Sequence, residues 1–207
     1  MQELGAQVAS NDGFVACGQH GLVHIKLIRI HSALHHCFAQ AITGCDEQSI
    51  PGADYDPEAK LAALNITLPT PPKPVANYVN GVRVGNLIFL AGKGPRYADG
   101  TEISGKLGQD ITIEKGYEGA RLTAINQLSV LKAMLGNLNK VKRIVKVLGM
   151  VNCNPSFVEQ PKVINGFSDL MVDVFGEKGK HARAAIGVAS LPRAQAVEIE
   201  LVVEVYD

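Results

Sequence analysis

"GKHARAAIGVASLPRAQAVEIE", residues 179–200, sets two short apolar runs on either side of a Leu-Pro break and gives each run a charge, Arg183 and Glu198. Side chains alternate along a strand, so each run divides into two faces. In Ala182–Ala189 one face carries Ala184, Ile186 and Val188, and the other carries Arg183, Ala185 and Gly187. In Ala196–Tyr206, Val197, Ile199, Leu201, Val203 and Val205 share one face, opposite Glu198, Glu200, Val202 and Glu204. Bulk assigns the first set of each strand to the core and turns Arg183 and Glu198 away from it. A hairpin around Ser190–Gln195 would bring the two charges together on the non-core face. They would then form either a cross-strand ion pair, typically ~0–1 kcal/mol on an exposed sheet, or a site. Ala185 and Gly187 leave room for a ligand beside Arg183, and a guanidinium grips a carboxylate through two parallel hydrogen bonds.

Upstream, the elements repeat in an order that gives these strands a sheet to join. "VNGVRVGNLIFLAG" (79–92) reads as a hairpin, with Asn80-Gly81 and Gly85-Asn86 as turn signals and an apolar strand over Leu87–Leu90. A polar, glycine-rich loop follows, with Asp99-Gly100 at a tight turn. From Ile113 to Leu135, Ala120, Ala124, Leu128, Leu131 and Leu135 fall on one stripe of a 3.6-residue period, and Gly136 ends the helix. "VKRIVKVLGMVNC" (141–153) alternates weakly enough to be an interior strand. A second helix starts near Pro161 and lines Val163, Phe167, Leu170, Met171, Val174 and Phe175 along one face up to Gly176. The order is hairpin, helix, strand, helix, strand, strand. That predicts an α+β domain whose mixed sheet carries two helices on one face. The other face must then meet water or another subunit.

Before this domain, "EAKLAALNI" (58–66) is a short amphipathic helix, and "LPTPPKPVANYV" (68–79) is an extended proline-rich connector. Residues 1–57 show no sustained period and read as an N-terminal extension, poorly ordered or loosely docked; residues 58–207 form the domain. The extension holds five of the six histidines, with His31 and His35 four apart and His36 and Cys37 beside them. No second ligand pair at a recurring spacing accompanies them, which argues against a metal site.

Composition excludes several classes. Lys+Arg and Asp+Glu both number 20, so the formal net charge is zero, and no broad attraction to nucleic acid or anionic membrane follows. Aromatics are 5% of 207 residues with no Trp, too few for a base-stacking platform. The four cysteines form no framework, as expected of a reduced intracellular chain. No apolar run reaches the ~18–20 residues of a membrane span. The N-terminus lacks a basic n-region and is poor in arginine, so neither a secretory signal nor a transit peptide is expected, and the expected location is cytoplasmic.

"HARAAIGVASLPRAQAVEIE" (181–200) resembles the C-terminal signature of the reactive-intermediate deaminase family (RidA, also called YjgF-like or endoribonuclease L-PSP). "NYVNGVRVGNLIFLAGKGP" (77–95) resembles its N-terminal hairpin, and "FVEQPKVINGFSDLMVDVFG" (157–176) its second helix. The resemblance spans about Pro74 to Val205. It implies a chorismate-mutase-like fold assembled as a homotrimer with three clefts between subunits. The implied activity is hydrolysis of enamine and imine intermediates, 2-imino acids, to 2-keto acids and ammonia, without cofactor or metal. By the same resemblance Arg183 holds the substrate carboxylate and Glu198 activates water or shuttles a proton. Tyr78, Gly92, Lys93 and Asn165 match other cleft positions.

Departures from the family pattern bear on that expectation. Ala91 stands where Ser is frequent, Lys93 where Gln is common, Ala185 where Cys is frequent, and His181 where Pro is frequent. Loss of a hydroxyl and gain of an ammonium would shift the substrate toward a larger or doubly acidic imine, unless Lys93 is a solvated rim residue. Two other functions fit the sequence less fully. One is a non-catalytic trimer that binds small carboxylates such as 2-keto acids. The other is an endoribonuclease, against which the charge, the few aromatics and the absence of a histidine pair in the domain all argue.

Overall fold

The computed structural model describes residues 55–71, 73–74 and 76–207. The described residues belong to one compact unit, Ser49–Asp207. The expected loose extension, apart from its last three residues, lies outside the described residues, as do His31, His35, His36 and Cys37.

Helix α1 (Pro57–Ala63) begins at Asp56, whose carboxylate caps the Glu58 amide at 2.9 Å, with Pro57 in the first helical turn. Leu61 buries its apolar side. Glu58 ties this helix to the next one: its carboxylate meets Lys132 Nζ at 2.5 Å and accepts from the Leu138 amide at 3.1 Å.

Strands β1 (Gly81–Val84) and β2 (Leu87–Lys93) form the expected hairpin. Its two-residue turn needs a left-handed first residue, which Gly85 supplies at φ 57°. Asn80-Gly81 is not a second turn: Gly81 opens β1 opposite Leu90, and a side chain there would strike Leu90 and Met134. Helix α2 (Ile113–Leu135) is capped by Thr112 Oγ1 and ends at Gly136, φ 77°. Its expected stripe of Ala120, Ala124, Leu128, Leu131 and Leu135 is buried throughout. Strand β3 (Val141–Asn152) follows, then helix α3 (Gln160–Phe175), whose six stripe residues are all at most 1% exposed. Strands β4 (Ala182–Val188) and β5 (Val197–Val205) complete the domain.

The sheet order is β1-β2-β5-β3-β4, antiparallel except for the parallel β3–β4 pair. Strand β3 is therefore interior, as its weak alternation predicts. The five apolar residues of β5 on its inner face are at most 1% exposed beneath the helices. On the opposite face, Val82, Val84, Phe89 and Ile186 are 45–62% exposed, an apolar surface that the described residues leave uncovered. Among the described residues no helix is long and apolar enough to cross a membrane.

Two further expectations fail, and both concern the opening stretch. Strands β4 and β5 do not form a hairpin; β3 lies between them. The face assignment of β4 is also reversed. Arg183 pairs with the fully buried Val147 on the helix side, while Ile186 pairs with Met150 and is 45% exposed on the open side. The reason is steric. Helix α3 comes so close to this edge strand that Gly187 lies against Cys153 Sγ and Gln160 Nε2, leaving no space for a Cβ. Small residues here mark the tightly packed face, and the bulky Ile186 is the one turned outward.

Candidate functional site

The end of β2 is bent out of register. Pairing with β5 passes from Leu90↔Leu201 to Lys93↔Ile199, so three steps along β2 span two along β5. Such a bulge re-aims side chains at a strand end. Two buried amides of α2 hold it. Gln127 Nε2 donates to the carbonyls of Ala91 (3.1 Å) and Ile199 (2.7 Å), and Asn126 Nδ2 to those of Gly94 (3.0 Å) and Arg96 (2.9 Å). The backbone that gave up its ladder bonds is thus satisfied by side chains from the helix behind it.

The bulge opens a cavity of about 810 Å³, whose lining includes Tyr78, Asn80, Gly92, Lys93, Arg193 and Glu198. Glu198 reaches it from the outer face of β5 and lies against Gly92, where a Cβ would overlap its carboxylate. A side chain at this position would have to displace that carboxylate. Burial raises the Glu198 pKa above its usual value, Glu200 adds to the rise, and the charges of Lys93 and Arg193 oppose it. Lys93 is partly buried and donates from Nζ to Asn80 Oδ1 at 3.0 Å. Burial lowers its pKa, against the opposing pull of Glu198. Lys93 is therefore a wall of the cavity and not a solvated rim residue. Tyr78 is half exposed at the mouth.

Arg183 and Asn165 form a second group, away from the first. Arg183 Nη1 donates to Asn165 Oδ1 at 2.9 Å and to Ser168 Oγ at 3.0 Å, both on α3. An arginine only donates, so Ser168 accepts from it and gives its own proton to His181 Nε2, 3.0 Å away. His181 Nδ1 then carries a proton and donates to the Gly179 carbonyl at 2.6 Å. Burial lowers the His181 pKa, opposed by the Gly179 bond and assisted by the Arg183 charge, which favours this neutral form.

Sequence reasoning placed Arg183 beside Glu198, and the sheet separates them. Val147 of β3 pairs with both Arg183 and Leu201 on the helix face, whereas Met150 pairs with both Ile186 and Glu198 on the open face. The two charges lie on opposite faces with a strand between them, two strand spacings or about 9–10 Å across the sheet. They form no ion pair within the chain. Tyr78, Gly92, Lys93 and Glu198 come together in the cavity; Arg183 and Asn165 come together at the β4 edge.

Three further residues were missed. Asn80 was read as a turn residue, yet its side chain anchors Lys93. Arg193 sits in the Leu-Pro loop with φ 55° and pairs with Glu102 through Nε at 3.0 and 2.9 Å. Ser168 links Arg183 to His181. Each acts across a tertiary contact, and no local pattern signals it.

Comparison with known proteins agrees with this layout. The family model described as "YjgF/chorismate_mutase-like, putative endoribonuclease" matches residues 58–205. Protein TCP17 of Trypanosoma cruzi is 44% identical over 147 residues, 70% of this chain and 92% of that protein. A RutC family protein of Pyrococcus horikoshii is 29% identical over 133 residues, 63% of this chain and 89% of its own. Among solved structures, an Agrobacterium tumefaciens protein of unknown function matches with a TM-score of 0.68 at 42% identity, covering 72% of this chain and 92% of that one. A Shewanella oneidensis protein with an endoribonuclease description matches with a TM-score of 0.70 at 31% identity, covering 72% of this chain and 99% of that one. With its hairpin, its two helices and its Leu-Pro strand pair all falling inside the matched region, the chain belongs to the YjgF/chorismate mutase-like family.

Proposed function

We propose that this protein hydrolyses 2-imino acids to 2-keto acids and ammonia, in clefts that two protomers of a homotrimer build together. The observation that carries the proposal is a partly buried carboxylate, Glu198, lining a cavity that Arg183 of the same chain does not reach. Arg183 stands instead at the free edge strand, held by α3. An edge from one protomer set against the cavity of the next supplies what each lacks. The uncovered apolar face bearing Val82, Val84, Phe89 and Ile186 supports such an assembly.

The chemistry asks little of the protein beyond placement. The iminium carbon of a 2-imino acid is already electrophilic. Arg183 would orient the substrate through its carboxylate, and Glu198 would take a proton from water as the water oxygen bonds to C2. The resulting carbinolamine then receives that proton on nitrogen. The C–N bond breaks, ammonia leaves, and the carbonyl of the 2-keto acid forms. Ionised Glu198 is regenerated when it gives that proton to nitrogen, and the hydroxyl proton leaves with the ammonia as ammonium, so iminium and water in balance 2-keto acid and ammonium out.

Hydrolysis of 2-iminobutanoate and 2-iminopropanoate, generated in place by an amino-acid oxidase, tests the reading. Wild type should clear both imines faster than buffer, and Arg183→Ala should not. A protein that binds 2-keto acids through Arg183 but shows no turnover, with binding indifferent to Glu198→Ala, would be a carboxylate-binding trimer instead. RNA cleavage finds no support in the cavity, where among the described residues no histidine is present.

The pH dependence follows from Glu198. The base must be ionised, and its pKa is raised above the ordinary 4.5, so kcat/KM should fall as pH falls through that raised value. The acid limb is therefore expected above the ordinary glutamate range. A limb at or below 4.5 in a pH–rate profile would remove Glu198 from the role of base.

A further inference from the structure

We propose that the Lys93 end of the cavity is a second anion subsite, so that the preferred ligands are dicarboxylic: 2-imino dicarboxylates and the 2-oxo dicarboxylates they yield. The reaction part of this rests on the deaminase reading above; the binding part does not.

Lys93 carries the argument. It is a partly buried ammonium whose hydrogen bond goes to a neutral amide oxygen, Asn80 Oδ1. Among the described residues no carboxylate lies within ion-pair distance of it. A partly desolvated ammonium that feels Glu198 only at a distance, with no carboxylate in contact, is costly, and an arriving anion offsets that cost. Burial accordingly lowers its pKa.

The rest of the cavity points the same way. Four cations line it, Lys73, Lys93, Arg96 and Arg193, against two carboxylates, Asp99 and Glu198. Arg193 is matched by Glu102, bonded through Nε at 3.0 and 2.9 Å. Asp99 is turned into its own loop, accepting from the Thr101 amide at 2.9 Å and hydroxyl at 2.7 Å. Lys93 is the cation of this set whose charge acts with that of Arg193 on Glu198, and it is the partly buried one. A monocarboxylic imino acid gains nothing from an ammonium there. For a ligand with a second carboxylate it is required, because otherwise that carboxylate would lie unscreened near Glu198. Volume agrees: about 810 Å³ is in the range of pockets that hold far larger ligands than a three-carbon acid.

Sequence alone could not make this choice, because the placement of Lys93 depends on the extra residue in the β2 bulge. With regular pairing Leu90↔Leu201 would be followed by Gly92↔Ile199, and Lys93 would fall opposite Glu198 along the ladder.

Calorimetric titration of the full chain with 2-oxoglutarate and with 2-oxobutanoate, at one pH and one salt concentration, tests the subsite. Wild type is expected to bind 2-oxoglutarate about tenfold more tightly, the effect of one charge-assisted contact. In Lys93→Gln the ratio of the two affinities should collapse to near one, and in Lys93→Arg it should persist. Equal affinities in wild type, or a preference unchanged in Lys93→Gln, overturn the proposal. Hydrolysis of 2-iminoglutarate and 2-iminobutanoate is measured on the same samples. No turnover of either imine, with the binding ratio and its collapse intact, sinks the deaminase reading and leaves the subsite. Turnover of both imines with no preference in binding or rate does the reverse.

Discussion

Arg183→Ala and Glu198→Ala chains, each inactive when made alone, should recover about a third of the wild-type rate when co-expressed and purified as mixed trimers. The figure follows from the sheet. Arg183 and Glu198 lie on opposite faces with β3 between them, so a chain cannot place its own pair around one small substrate. If each cleft takes its arginine from one protomer and its glutamate from the next, a working site needs an intact Arg183 on one side and an intact Glu198 on the other. Each mixed trimer, whichever chain it holds twice, satisfies both conditions at about one site in three. Alone, Glu198→Ala should lose about 10²–10⁴-fold in kcat, the usual share of a positioned base. Two differently tagged chains and sequential affinity purification isolate the mixed species. Recovery no greater than the sum of the two parents would show that the cleft is not shared.

Gly166→Ala should destabilise the domain by about 2 kcal/mol, although alanine is the better helix former. Gly166 is buried in α3 where it crosses α2, and a Cβ there would overlap the carbonyl oxygen of Tyr117. That obstacle is backbone, so it cannot swing aside as a side chain can. The crossing is also pinned from outside by the Tyr117 hydroxyl, which donates to Asp169 Oδ2 at 2.8 Å. Overpacking of this kind costs about 1–3 kcal/mol and here sits at the upper end, against about 1 kcal/mol gained from helix propensity. Gly119→Ala provides the contrast. Its added Cβ would meet Pro95 and Ile103 at 3.5 and 3.6 Å, ordinary contact, so propensity wins and the change is neutral or stabilising. Urea unfolding should show the Gly166→Ala midpoint falling and the Gly119→Ala midpoint holding or rising, with m unchanged in both.

The elements themselves were legible because their signals are local. The α2 stripe from Ala120 to Leu135 and the α3 stripe from Val163 to Phe175 are each set by a 3.6-residue period, which depends on nothing beyond the helix. The same holds for the turn at Gly85, where a left-handed φ selects glycine. The inner face of β5 was readable for a similar reason: five branched or long aliphatic residues alternate with charged ones, and only one assignment buries them. Of the candidate site, the grouping of Tyr78, Gly92, Lys93 and Glu198 follows motifs that lie at strand ends, and these do line one cavity.

Strand β4 had no such asymmetry. Both of its faces are apolar or small apart from Arg183, so alternation divided them correctly and bulk then chose the wrong one as core. What decided the matter was the close approach at Gly187, where Cys153 and, from α3, Gln160 leave no space for a Cβ, so that Ile186 is the residue turned outward. Strand order is equally non-local: consecutive strands β4 and β5 are separated because β3 takes the place between them, a parallel pairing with no signature in either strand. The sequence by itself determined which residues form helices, strands and turns, and that Glu198 would leave the buried core. Only the tertiary structure decided that Arg183 stays on the helix side, opposite Glu198, because the side a strand turns toward solvent is fixed by what packs against it.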